Sequence, residues 1–188
     1  MREGKLGRIA SGALALLLLG GLIEPNRAHA LEITGGVQLG GVIIGSSPRF
    51  SVSPHVGASV TTEGGFLFAL RDIASILPAT DIHGAGIYNH TALAIGYAWN
   101  GVRASAGPSL AIYSVAACGT LVNANGKRLC SRLSGFSPGF HAQLEYYFLG
   151  PLGLSVSASV DWLTGSDVLP PGPTATILVG PLITWSNK

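Results

Sequence analysis

Charge is what this chain has least of. Asp, Glu, Lys and Arg make up only 11% of its 188 residues, against 47% hydrophobic residues. A water-soluble domain usually carries about a quarter charged residues, so much of this surface is expected to face something other than water. Cysteine is also scarce, with Cys118 and Cys130 alone. In an exported chain such a pair reads as a disulfide. None of the histidines stands at metal-ligand spacing, so no metal centre and no cofactor is expected. Basic residues form no stripe, which argues against a nucleic-acid partner. Beyond residue 30 there is no long unbroken apolar run, which excludes a membrane helix there.

The first thirty residues read as an address. Arg2, Lys5 and Arg8 precede an uncharged run from Ile9 to Ile23, then Pro25 and the small-x-small sequence Ala28-His29-Ala30. That order is a secretory signal, with cleavage before Leu31. Residues 31–188 then form one domain, with seven basic and seven acidic residues once the signal's four and two are subtracted from 11 and 9.

What this domain does have is alternation with period two. Leu154, Val156, Ala158, Val160 and Trp162 alternate with Ser155, Ser157, Ser159 and Asp161. Similar rows recur from Phe50 to Val60, from His90 to Trp99 and from Ser137 to Phe148. Such rows place an apolar face opposite a small or polar one on a β-strand. Eight strands are expected near 32–44, 50–60, 65–72, 88–99, 102–116, 135–148, 153–163 and 174–185. Most exceed the five or six residues common in soluble domains and match the length that crosses a bilayer at a tilt. Asn100-Gly101 is a two-residue hairpin signal. Short links at 61–64, 100–101 and 149–152 alternate with long ones at 73–87, 117–134 and 164–173. Tyr97, Trp99, Tyr146, Phe148 and Trp185 gather at one set of strand ends, Phe50 and Trp162 at the other. Two aromatic belts mark a membrane barrel.

The pattern resembles the small eight-stranded outer-membrane proteins, the group that includes the OmpA transmembrane domain and the OmpX family. The resemblance covers Leu31 to Trp185. It implies an all-β, up-and-down antiparallel transmembrane barrel in the outer membrane of a Gram-negative bacterium. It also implies contact with outer-membrane lipid and lipopolysaccharide, and a terminal aromatic, here Trp185, read by the barrel-assembly machinery. Ser186-Asn187-Lys188 follow that aromatic. A monomer is expected.

In such a barrel the apolar rows face lipid and the other rows fill the bore. The inward set is expected to include Arg71, His90, Arg103, His141, Gln143, Glu145 and Asp161, with Gln38 and His55. Arg71 and Arg103 would pair with Glu145 and Asp161, giving a polar, plugged lumen. Pro54, Pro108, Pro138 and Pro181 lie inside strand patterns, where bulges or bends are expected. Between the cysteines, Lys127 and Arg128, with Arg132 beyond, place positive charge where lipopolysaccharide phosphates would lie. The leading functional expectation is a non-enzymatic envelope or surface-contact protein. The competitors are a lipid A-modifying enzyme, a narrow solute channel and a soluble β-sandwich or lipocalin-like binder. His141 and Glu145 are ~13 Å apart along one strand face, too far for a catalytic dyad by themselves. Mass spectrometry of the exported protein should find Leu31 at its amino terminus; retention of residues 1–30 would remove the signal-peptide reading.

Overall fold

A computed structural model describes residues 31–44, 47–79, 83–122, 128–163 and 172–186. The signal-peptide expectation, Lys127 and most of link 164–173 lie outside these residues. The strands are β1 (Leu31–Ile44), β2 (Ser47–Thr61), β3 (Phe66–Leu77), β4 (His83–Trp99), β5 (Val102–Val122), β6 (Arg128–Leu149), β7 (Leu152–Leu163) and β8 (Gly172–Ser186). They pair in sequence order, each antiparallel to the next, and β8 returns to β1 to close the barrel.

The period-two rows account for this closure. In β7 the odd positions Ser155, Ser157, Ser159 and Asp161 are buried, while Leu154, Val156, Val160 and Trp162 stand exposed. The same division runs around the wall, so the molecule is apolar outside and largely polar inside. That inverts the arrangement of a soluble domain.

Three tight connections define one end of the barrel, the turn end. Asn100 and Gly101 both have positive φ, 44° and 80°, as a type I′ hairpin requires. The carbonyls of Gly65, Gly101 and Pro151 accept from the amides of Ala98, Tyr147 and Thr184 at 2.8, 2.8 and 2.9 Å. Each turn thereby extends the next ladder and leaves fewer backbone groups unpaired.

The other end, the loop end, departs from expectation. Residues 73–77 and 83–87 are strand rather than loop, as are 117–122 and 128–134. β5 and β6 reach 21 and 22 residues. The alternation was hard to read at 73–77 because both faces of β3 carry apolar residues: Ile73 and Leu77 are buried, while Phe68 and Ile76 are exposed.

The prolines produce no register shift. Irregularities occur at His83/Gly86, Cys118/Val122 and Tyr147/Leu149 instead. Pro108 leaves a gap in the β4–β5 ladder between Ala92↔Ser109 and Ile95↔Ala106. Pro181 leaves one in the β1–β8 ladder between Gly36↔Leu182 and Leu39↔Val179. Register is identical on both sides of each gap. Proline has no N–H to donate, and the glycine beside it lets the neighbouring backbone come close. A Cβ on Gly107 would strike the Leu93 carbonyl, and one on Gly180 the Val37 carbonyl. Gly180→Val should therefore destabilise the barrel by about 1–3 kcal/mol. Gly41→Val, whose new Cβ would meet only the Arg49 carbonyl at 3.8 Å, should be near neutral. Urea unfolding in lipid vesicles followed by Trp fluorescence checks the difference, and equal midpoints would refute the close-approach account.

Candidate functional site

The bore is stratified. Near the turn end, Arg103 pairs with Glu32: Nη2 donates to Oε1 at 2.9 Å, and Nη1 lies 2.6 Å from Oε2. The guanidinium also lies 4.6 Å above the Tyr147 ring. With Thr184 these residues line an open cavity of about 530 Å³. Arg103 was expected to meet Asp161 or Glu145; it pairs with Glu32 instead, because barrel closure brings β1 within reach across the bore.

The middle layer holds a fully buried ion pair. Arg71 and Glu145 are 1% exposed and meet at 2.6 Å. Arg71 also donates to Thr34 at 2.9 Å. Glu145 accepts from Gln143 at 2.9 Å and from the Tyr147 hydroxyl at 2.8 Å. Thr184 donates to that hydroxyl at 2.8 Å, so the pair is linked to the turn-end vestibule. Gln38 donates to Ser155 at 2.8 Å and accepts from Ser157 at 3.0 Å. His141 lies 3.4 Å from Gln143. Such pairing is what makes buried ions tolerable. Both ring nitrogens of His55 are buried without a partner among the described residues, as are Arg71 Nε and Ser59 Oγ. Buried polar atoms of this kind call for water.

Above this layer, Asp161 gathers donors. It contacts His90 Nε2 and accepts from the Tyr88 hydroxyl and from Ser109, both at 3.1 Å. Ser159 lies 2.9 Å from His90 Nε2, the same nitrogen that meets Asp161. A Ser-His-Asp relay needs the two partners on opposite nitrogens, so this trio is not one.

Toward the loop end an apolar cluster enters the bore. Val42, Ile44, Leu77, Tyr88, Ala111, Tyr113 and Val115 form a buried cluster inside the barrel. Tyr88 packs edge-on to His90 at 4.7 Å and stacks with Tyr113 at 6.1 Å. Leu67, Leu178 and Leu182 also point inward at 1% exposure. The expected polar filling is thus interrupted by apolar side chains at several heights, and it reaches the loop end too, where Arg49 donates to the Pro78 and Gly84 carbonyls and Ser51 and Thr174 are buried. Glu32, Tyr88, Tyr113 and Tyr147 were missed. Strand parity carried the signal for all four: Glu32 shares it with Gln38, Tyr88 with His90, Tyr113 with Arg103 and Tyr147 with Glu145.

The belt residues Phe50, Tyr97, Trp99, Tyr146, Phe148, Trp162 and Trp185 all point outward, 46–59% exposed. Phe66, Phe136 and Phe140 join them at 62%, 62% and 56%. Arg132 is exposed and donates to Ser114 at 2.8 Å. The backbone register sets Cys118 directly opposite Cys130 and pairs Arg128 with Val122; the side chains of Cys118, Cys130 and Arg128 lie outside the described residues.

Removing one member of the central pair strands the other in the bore. Arg71→Met alone and Glu145→Met alone should each cost about 3–5 kcal/mol. The double variant should cost clearly less than their sum. Vesicle-based urea titrations of the four proteins give that coupling energy, and simple additivity would refute the pair's mutual dependence.

No protein-family model and no curated protein matches this sequence. Solved structures do. Neisserial surface protein A aligns with a TM-score of 0.53 at 10% identity, covering 81% of this chain and 96% of that one. Ail, the attachment invasion locus protein of Yersinia pestis, gives 0.52 at 10% identity, with 85% and 100% covered. A major outer membrane protein from Thermus thermophilus gives 0.54 at 12% identity, with 84% and 100% covered. The chain thus has the fold of the small eight-stranded outer-membrane barrels.

Proposed function

We propose that this chain is an integral outer-membrane protein without catalytic activity, contributing to envelope structure or to surface contact through its loop end. The observation that carries this is the apolar outer wall. Ile95, Val160, Ile177 and Val179, on three different strands, are 68%, 57%, 64% and 52% exposed. Soluble monomers rarely show contiguous apolar patches above a few hundred Å², and acyl chains are the solvent that suits a wall of this kind. The fold shared with outer-membrane proteins supports that membrane in particular.

The loop end is the surface-contact face. Among the described residues β5 and β6 run furthest there, and their opposed cysteines would brace that hairpin. Directly opposed Cα atoms lie ~4.5–5.5 Å apart, inside the span of a disulfide. Lys127, Arg128 and Arg132 would offer charge to lipopolysaccharide phosphates. Two features weigh against the competitors. The His90–Asp161–Ser159 cluster is buried in the bore with the wrong geometry for a relay. The apolar layer around Tyr88 and Tyr113 lies across a solute path.

The protein should fractionate with outer membranes, migrate as a compact band in cold SDS, and shift on boiling. In planar bilayers it should give no steady pore current. Recovery of the folded chain in the soluble periplasmic wash would overturn the membrane assignment, and a stable conductance would overturn the sealed bore.

A further inference from the structure

One region of the outer wall is neither smooth nor purely apolar. Near the loop end, across β4, β5 and β6, lies a groove of about 530 Å³. Its sides are Ile87, Ile112 and Phe136; Gly135 lies beneath, and Ser114 and Ser134 lie along it. The lining is mostly apolar. Arg132 continues the outward row of β6 above Ser134 and Phe136, and its Nε is anchored to Ser114, a groove residue, at 2.8 Å. Among the described residues no carboxylate forms an ion pair with it.

Height along the wall places the groove. A strand tilted in a bilayer climbs roughly 2.5 Å per residue. From the belt residue Phe148 up to Phe136 is therefore about 30 Å, the thickness of the hydrocarbon core. Phe136 stands at the outer interface, the groove reaches down from it, and Arg132 rises into the headgroup layer. Lower on the same wall, Asp72 accepts from Asn89 at 3.0 Å and from Thr91 at 2.7 Å. That carboxylate is satisfied within the protein and lies below Arg132, so it does not neutralise the guanidinium.

We propose that this groove seats one phosphorylated acyl lipid of the outer leaflet, a chain lying along Ile87, Ile112 and Phe136 and a phosphate on Arg132. The inference rests on the membrane-barrel reading and deepens it, centring the anion contact on Arg132 and the wall below it. The chemistry selects the occupant. A free anion would leave the apolar groove unfilled, and a neutral acyl lipid would leave the guanidinium without its counter-charge. A lipid with both parts satisfies both at once.

The test uses folded full-length protein in detergent micelles, delipidated and then titrated with lipid A or with lipid A stripped of its phosphates. Native mass spectrometry reads the bound lipid. Wild-type protein should retain one phosphorylated lipid per chain and prefer it over the stripped form. Arg132→Gln should weaken the phosphorylated form about tenfold and leave the stripped form unchanged. Ile112→Trp, which fills the groove from an exposed position, should weaken both. Each variant is first checked for its heat-induced gel shift. Loss of that shift in the wild-type protein would defeat the barrel reading itself. With the shift intact, three results would overturn the lipid seat alone: wild-type affinity in both variants, full displacement by inorganic phosphate at equal concentration, or a dimer that Ile112→Trp dissociates.

Discussion

Closure of the backbone ladder is the constraint on which everything else rests. A wall that faces hydrocarbon cannot leave amides or carbonyls to be satisfied by water. An open sheet would strand two edges; joining β8 to β1 removes them. The prolines show how tightly the constraint is met. Each sits where a ladder can lose a rung, and for Pro108 and Pro181 a bare glycine lets the neighbouring strand move in. The turn carbonyls extend adjacent ladders for the same reason.

Closure in turn dictates the bore. Eight strands leave an interior that side chains can fill, and what fills it changes with height. The Arg71–Glu145 pair is held by neighbours from β1 and β6. Asp161 collects donors from β4 and β5 as well as His90. Toward the loop end the Val42, Leu77, Tyr88 and Tyr113 cluster packs inside the cylinder, with the buried Arg49 beyond Asp161. Tyr88 joins the two regimes: its ring belongs to the apolar cluster and its hydroxyl to Asp161. Tyrosine suits that boundary because one end is apolar and the other polar.

The sequence was most legible where one face was strictly apolar and the other strictly small or polar. β7 is the clearest case, and Asn100-Gly101 specified its turn through local backbone chemistry alone. It was least legible where the bore itself is greasy. Ile73 and Leu77 on β3, and Leu178 and Leu182 on β8, point inward, so periodicity marks the faces without saying which is inside. The extra length of β5 and β6 escaped for a related reason, since strands that run past the hydrocarbon no longer need a strict apolar row. Partnership across the bore was a separate problem. Parity along a strand correctly turns Arg103 inward, but whether it meets Asp161 or Glu32 depends on the stagger at closure. No local pattern encodes that stagger.

The two ends of the barrel therefore do different work. At the turn end the strands stop close to the aromatic belt, and the vestibule beside Glu32 and Arg103 stays open. At the loop end the bore is packed by the apolar cluster and by Arg49, and the hairpin of β5 and β6 rises beyond the wall. A packed upper bore gives that hairpin a rigid base, which an aqueous channel would not. The same packing holds Tyr113 beneath Gly135, where a Cβ would press on the tyrosine hydroxyl. The floor of the outer groove is thus fixed by the filling of the bore, and what the protein can present to lipid is decided partly from within.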